Sequence, residues 1–248
     1  MRPLPSWLLQ RPIAHRGLHD RAAGRPENSL AAFAAAAERG FPVELDVRLS
    51  RDGVVMVFHD DTLDRLSDLA GPFERYDARE LQRTRIGGSQ ETIPTLRQVL
   101  DTIGGRVGIA VEVKSFLGGV GRCEELTYAT MRAHGGDWIV QSFNPFSLAW
   151  FVRHAPEVTR GQISGPLAHW GDVPWSRWRC HEAEHYRTLW LSRPDFLCHD
   201  CQQLPHAAVD RLKAEGFPLT SYTVRNQATR DRLAGYVDNI IFEAFDPA

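Results

Sequence analysis

Two short segments place carboxylates where only a cation or a proton would make them tolerable. Val43–Leu49 alternates strictly: Val43, Leu45, Val47 and Leu49 form one apolar face, and Glu44 and Asp46 point together from the other. Gly108–Lys114 repeats that parity, with Ile109, Val111 and Val113 on one side and Glu112 and Lys114 on the opposite side. Carboxylates gathered in an apolar setting repel one another and lose hydration unless positive charge lies between them. Three oxygen donors on two strands suit one divalent cation, Mg²⁺ or Ca²⁺. A buried ion-pair network with Lys114 and Arg48 is the non-catalytic alternative.

His15 and His59 are the other candidates. Each ends an apolar strand, where barrel active sites are built, and each is followed by a polar residue, Arg16 or Asp60. A single strand-end histidine is more often structural than catalytic. Two of them beside three carboxylates, Arg16 and Lys114 fit what phosphodiester cleavage demands. The anionic phosphate needs positive charge, a nucleophile must lose a proton and an alkoxide must gain one.

The elements that must position these groups alternate between short apolar runs and helical patterns, which predicts an α/β fold with a parallel sheet. Candidate strands are Pro12–His15, Val43–Leu49, Val54–His59, Gly108–Lys114, Trp138–Phe143, Val158–Ile163, Asp195–His199, Leu219–Val224 and Asn239–Glu243. Helices are predicted after Asn28 or Ser29 as cap with Gly40 as stop, and over Leu96–Ile103, Cys123–His134, Phe146–His154, His206–Glu215 and Gln227–Leu233. Only Ser50, Arg51, Asp52 and Gly53 separate the second and third strands. A parallel crossover needs a dozen residues or more, so these two form an antiparallel hairpin, which sets His59 near Glu44. The remaining eight strands can close a (β/α)8 TIM barrel, with the β-hairpin after the second strand. Residues 1–248 then form one domain, with a small insertion at about 61–94 that includes a short helix at Ala78–Arg83.

Several motifs carry a family resemblance. Ala14-His15-Arg16-Gly17 and Pro26-Glu27-Asn28-Ser29 resemble the opening motifs of glycerophosphodiester phosphodiesterases. Glu44-Leu45-Asp46, Asp52-Gly53, His59-Asp60 with Thr62-Leu63 and Arg65, Pro94-Thr95-Leu96, Glu112-Val113-Lys114 and Gln141-Ser142-Phe143 continue the match in order. The resemblance implies that Glu44, Asp46 and Glu112 bind the divalent metal, that His15 and His59 are the acid–base pair, and that Arg16 and Lys114 hold phosphate oxygens. The implied reaction is hydrolysis of a glycerophosphodiester to glycerol 3-phosphate and an alcohol. The carboxy-terminal part departs from the pattern: Tyr222-Thr223-Val224-Arg225 stands where the family has Trp-Thr-Val-Asn, and Phe242-Glu243 where it has Thr-Asp. Tyr222 could supply an aromatic wall to the substrate, and Arg225 could alter the alcohol side of the pocket. Two alternatives share the motifs: a lysophospholipase D-like activity, and a silent barrel that binds phosphodiesters or a partner protein.

Composition narrows the partners. Charged residues are 24% of the 248 and hydrophobic residues 43%, with a formal net charge of −2, so no basic field exists to hold nucleic acid. Four cysteines (Cys123, Cys180, Cys198, Cys201) fit a reducing compartment better than a disulfide framework. No run reaches membrane-spanning length, and the apolar patch at Trp7, Leu8 and Leu9 is too short for a signal-peptide core, so the predicted location is the cytoplasm. Cys198 and Cys201, with Cys180, His181 and His185, form a weak zinc pattern better explained as separate thiols. Trp170, Trp175, Trp178 and Trp190, mixed with Arg177, Arg179 and Arg187, could form a lip for peripheral membrane contact, although packing onto the barrel is the favoured role for these rings. Nothing in the sequence fixes the oligomeric state.

Overall fold

The alternation of Val43–Leu49 becomes strand β2 of a closed barrel. A computed structural model describes residues 3–115, 119–166 and 185–247. The strands are β1 (Ile13–Ala14), β2, β3 (Val55–Val57), β4 (Ile109–Val113), β5 (Trp138–Ser142), β6 (Arg160–Ser164), β7 (Phe196–Asp200), β8 (Leu219–Val224) and β9 (Asn239–Phe242). Parallel pairing runs β1–β2–β4–β5–β6–β7–β8–β9 and returns from β9 to β1, so eight strands close. Among the described strands β3 pairs with β2, antiparallel, with Val47 opposite Val57 and Leu49 opposite Val55, and it adds a single bridge from Met56 to Thr95. The four-residue turn leaves that geometry as the only one available.

The helices are α1 (Ser6–Gln10), α2 (Leu30–Glu38), α3 (Ala78–Leu81), α4 (Leu96–Ile103), α5 (Arg122–His134), α6 (Pro145–His154), α7 (Leu189–Ser192), α8 (Ala207–Ala214) and α9 (Gln227–Leu233). Ser29 caps α2 by accepting from the Ala32 amide, and Thr95 with Gln98 forms a capping box on α4, which Gly104 closes in the left-handed region. Outward strand residues such as Val43, Leu45, Val47, Val111 and Val113 pack with Phe33, Leu96 and Val99 of these helices.

Inside the barrel a second cluster holds Leu8, Ile13, Ala110, Ile139, Ile163, Phe196, Cys198 and Ile241. The amino-terminal apolar patch supplies the floor as α1. Its Trp7 ring lies where a Cβ on Gly108 would come within 2.2 Å, and the Asn239 amide donates to the Leu8 and Arg11 carbonyls. The polar carboxylates therefore lie on an apolar plug rather than over an open pore.

Residues after β3 form a third cluster. Met56 and Phe58 turn from the barrel onto Leu63, Leu66, Phe73, Leu81, Ile86 and Ile93, while Val55 and Val57 join the main core. Phe58 stacks on Phe73 at 5.3 Å between ring centroids. One strand thus serves two cores, which anchors the insertion to the site side of β2. The predicted helix at Ala78–Arg83 ends earlier, at Leu81, where Arg83 and Thr84 close tight turns onto Glu80 and Leu81 carbonyls. Among the described residues, no helix is long and apolar enough to cross a membrane.

Candidate active site

Asp46 and Glu112 stand directly opposite one another in the β2–β4 ladder, and Glu44 follows two residues earlier on the same side. One oxygen from each of the three carboxylates lies within 4.8 Å of the others. Glu44 and Asp46 are 1% exposed and Glu112 7%. Glu44 Oε1 and Asn28 Oδ1 are buried with no hydrogen-bond partner, and Asp46 Oδ1 and Glu112 Oε1 meet only the Lys114 ammonium, at 3.2 and 2.5 Å. A set of hard oxygen donors with unused lone pairs fits a divalent cation. It is a poor fit to a purely structural ion-pair network, which would leave no buried acceptor unused. Arg48, the other cation such a network would use, turns instead to the His59 carbonyl at 2.9 Å and to Asp61.

The charges respond unequally to burial. Burial, then Asp46 and Glu112, push the Glu44 carboxyl well above the usual range. Burial also pushes Glu112 up, against the pull of Lys114. Burial acts on Asp46 in the same sense, but Lys114, then His59, Arg16 and the side-chain amide of Asn28, outweigh it and hold Asp46 ionised. Lys114 and Arg16 alone do not offset the burial of all three carboxylates, and a further cation would.

His15 touches this cluster, and His59 lies close enough to feel the charges of Lys114, Asp46 and Arg16. His15 Nε2 is 3.9 Å from Glu44 Oε2, and its Nδ1 is 2.5 Å from Glu243 Oε2. His59 follows β3; Phe58 donates its amide to the Asp46 carbonyl, so the histidine lies nearer Asp46 than the Glu44 position set by simple hairpin counting. His59 Nδ1 is 2.6 Å from Asp60 Oδ1. Burial lowers His15 from its ordinary value, and burial with the nearby Lys114 lowers His59 to about 4. Each imidazole thus pairs one nitrogen with a carboxylate, a pairing that fixes tautomer and orientation.

Arg16 reaches the same centre from the turn after β1. Its amide donates to Glu44 Oε2 at 3.1 Å, and its Nε lies 3.3 Å from Asp46 Oδ2. Arg16 and Asn28 both occupy the left-handed region, at φ 56° and 57°, and the Asn28 amide donates to the Arg16 carbonyl at 3.0 Å. That clasp aims the Asn28 side chain at Asp46 Oδ2, 2.9 Å away. Its neighbour Ser29, not Asn28, caps α2, so Asn28 is free for the site. Glu27, two residues before that cap, accepts from Arg16 Nη1 at 2.5 Å.

Tyr222 lies at the edge of the interior cluster. Its hydroxyl donates to the Ser164 carbonyl at 3.1 Å, and its ring meets Phe143 edge-on at 5.9 Å, with Lys114 over the other ring. Arg225 pairs with Glu243 at 2.6 Å, and His19 approaches the same carboxylate at 3.5 Å. Sequence pattern did not single out Glu243 or His19. The substitution of Glu for the family's usual Asp at 243 was the available signal. An open cavity of about 770 Å³ lies beside the centre, walled by Arg48, Leu49, Phe73, Lys114 and Ser115.

The weaker patterns separate. Cys123, Cys198 and Cys201 are buried free thiols, and among the described residues only the acidic triad has the spacing of a metal site. Trp170, Trp175, Trp178, Arg177, Arg179, Cys180 and His181 lie outside the described residues. Trp190 is 76% exposed rather than packed on the barrel.

Residues 15–246 match the glycerophosphoryl diester phosphodiesterase family. YhdW of Bacillus subtilis is 28% identical over 238 residues, covering 92% of each chain. Glycerophosphodiester phosphodiesterase 1 of Bos taurus is 32% identical over 245 residues, covering 86% of this chain and 71% of its own. A phosphodiesterase of Oleispira antarctica, solved in complex with the product sn-glycerol 3-phosphate, superposes with a TM-score of 0.79 at 26% identity, over 96% of this chain and 94% of that one. The chain therefore belongs to the glycerophosphoryl diester phosphodiesterase family and is a phosphoric diester hydrolase.

Proposed function

We propose that the protein hydrolyses glycerophosphodiesters to sn-glycerol 3-phosphate and an alcohol, with His15 and His59 as acid–base pair and Glu44, Asp46 and Glu112 as ligands of one Mg²⁺ or Ca²⁺. The observation that carries this reading is the approach of both imidazoles to one buried carboxylate triad that keeps unused acceptors. A bound divalent ion would polarise the phosphate and lower the pKa of a nearby water or hydroxyl.

The chain's own residues account for the rest. Arg16 and Lys114 offer positive charge to the phosphate oxygens, partly satisfied now by Asp46 and Glu112. Burial keeps both imidazoles neutral near pH 7, so either can accept the nucleophile's proton at Nε2. The other must first gain a proton, which the negative charge of an incoming diester favours. Glu243 and Asp60 hold the Nδ1 sides, so each ring presents Nε2 toward the centre. Tyr222 and Phe143 wall the substrate.

The free thiols fit a reducing cytoplasm. The exposed Trp190 favours one variant of the reading, in which the diester is a lysophospholipid taken from a membrane surface. The test is a panel of glycerophosphodiesters and lysophospholipids assayed after chelation and after restoring Mg²⁺, Ca²⁺ or Mn²⁺. Cation-dependent release of glycerol 3-phosphate supports the proposal. Release of a lysophosphatidic acid in preference supports the lipid variant, and turnover indifferent to chelation contradicts the metal assignment.

A further inference from the structure

Arg65 belongs to the segment after β3, outside the barrel strands, yet its guanidinium holds two carboxylates from different elements. Nε and Nη2 donate to Asp60 Oδ2 and Oδ1 at 2.6 and 3.1 Å. Nη1 and Nη2 donate to Glu27 Oε2 and Oε1 at 2.9 and 2.7 Å. Each carboxylate in turn holds a residue that faces the triad: Asp60 accepts at His59 Nδ1, 2.6 Å away, and Glu27 accepts from Arg16 Nη1 at 2.5 Å. A continuous chain of contacts therefore runs His59–Asp60–Arg65–Glu27–Arg16 and ends on Asp46.

We propose that Arg65 is a positioning residue that locks the His59 arm to the Arg16 arm, so that proton transfer and phosphate binding are held in one geometry. Only a planar fork can bond four oxygens of two carboxylates at once; an ammonium is a point charge and cannot. The Glu27 and Asp60 side chains are 14% and 20% exposed, whereas Arg65 is 51% exposed. The two acids are thus set in the protein, and the cation closes over them from the solvent side. Its removal should leave the fold intact, since half-exposed ion pairs add little to stability. It should instead loosen two side chains whose placement matters at the ångström scale, where misplacement costs on the order of 10²-fold in rate.

This inference rests on the function proposed above. Arg65→Ala is expected to lower kcat/KM on a glycerophosphodiester by about 10–100-fold at unchanged melting temperature. Arg65→Lys should not restore it, and millimolar guanidinium should restore part of the turnover of Arg65→Ala. Combined with Asp60→Asn and Glu27→Gln, Arg65→Ala should add less than its separate effect, because residues in one network couple. Activity of Arg65→Ala or Arg65→Lys within twofold of the parent, or strict additivity, would overturn the proposal. Should the parent protein cleave no diester, the function reading fails by itself. The imidazole ¹⁵N resonances of His59 then decide the present inference: a shift on Arg65→Ala sustains it, and an unchanged ring overturns it.

Discussion

His15 Nδ1 and Glu243 Oε2 lie 2.5 Å apart although 228 residues separate them in the chain. Closure of β9 onto β1 brings them together, since Ala14 pairs with Phe242. The carboxylate also receives Arg225, so the imidazole is held at one nitrogen and directed at the triad with the other. His15→Ala and His59→Ala should each reduce turnover by about 10²–10⁴-fold, the usual contribution of a positioned acid or base, with cation binding retained. A diester with a better leaving group should partly rescue the variant that has lost the acid and leave the other unrescued. Near-normal turnover of either folded variant would remove the two-histidine mechanism.

The triad predicts a cation-dependent melting temperature. A ligand bound only by the folded state at 100 times its Kd stabilises by about 2.7 kcal/mol. Mg²⁺ or Ca²⁺ should raise the melting point of the parent protein, and Glu44→Gln, Asp46→Asn and Glu112→Gln should each abolish the rise. Because burial and Asp46 push the Glu44 carboxyl up, cation binding should expel protons and strengthen as pH rises. Calorimetry in two buffers of different ionisation heat measures that release, and identical heats would contradict it.

Gly17 is predicted to be irreplaceable for steric reasons. It adopts φ 79°, and a Cβ there would come within 2.8 Å of the Ala32 backbone. Gly17→Ala must move either the turn that carries Arg16 or the first turn of α2. A loss of about 1–3 kcal/mol is expected in denaturant titrations, accompanied by weaker substrate binding. Unchanged stability would show that the turn adapts freely.

His199 supplies a pH-dependent contribution remote from the triad. It is fully buried, and burial, followed by His206, lowers its pKa to about 3. The unfolded chain protonates this group near its ordinary value of about 6.5, whereas the folded chain resists. Stability from this source is therefore complete above pH 6.5 and is lost as pH falls from there toward 3. His199→Gln should flatten the decline in unfolding free energy between pH 7 and pH 5, even if its stability at pH 7 is lower. An unaltered slope would contradict the assignment.

The barrel and the triad were legible in the sequence because both follow the two-residue period of a strand. Glu44 and Asp46 share a face whatever the rest of the chain does, and the short turn at Ser50–Gly53 admits only a hairpin. What escaped depends on backbone states without periodicity. Asn28 and Arg16 meet through two left-handed residues, which no apolar pattern announces, so Asn28 resembled a helix cap. Glu243 acquires its partner only when the last strand closes on the first. The short turn dictates the hairpin itself, but the position of His59 depends on where the ladder ends, and the Phe58 amide settles that onto Asp46.

The most direct test of the central claim is ³¹P NMR of a glycerophosphodiester cleaved in H₂¹⁸O by the cation-loaded protein. The account predicts glycerol 3-phosphate carrying ¹⁸O on phosphorus, an unlabelled alcohol, and no product from Glu112→Gln or after chelation. Label in the alcohol, no monoester with any cation, or full activity of Glu112→Gln would contradict it.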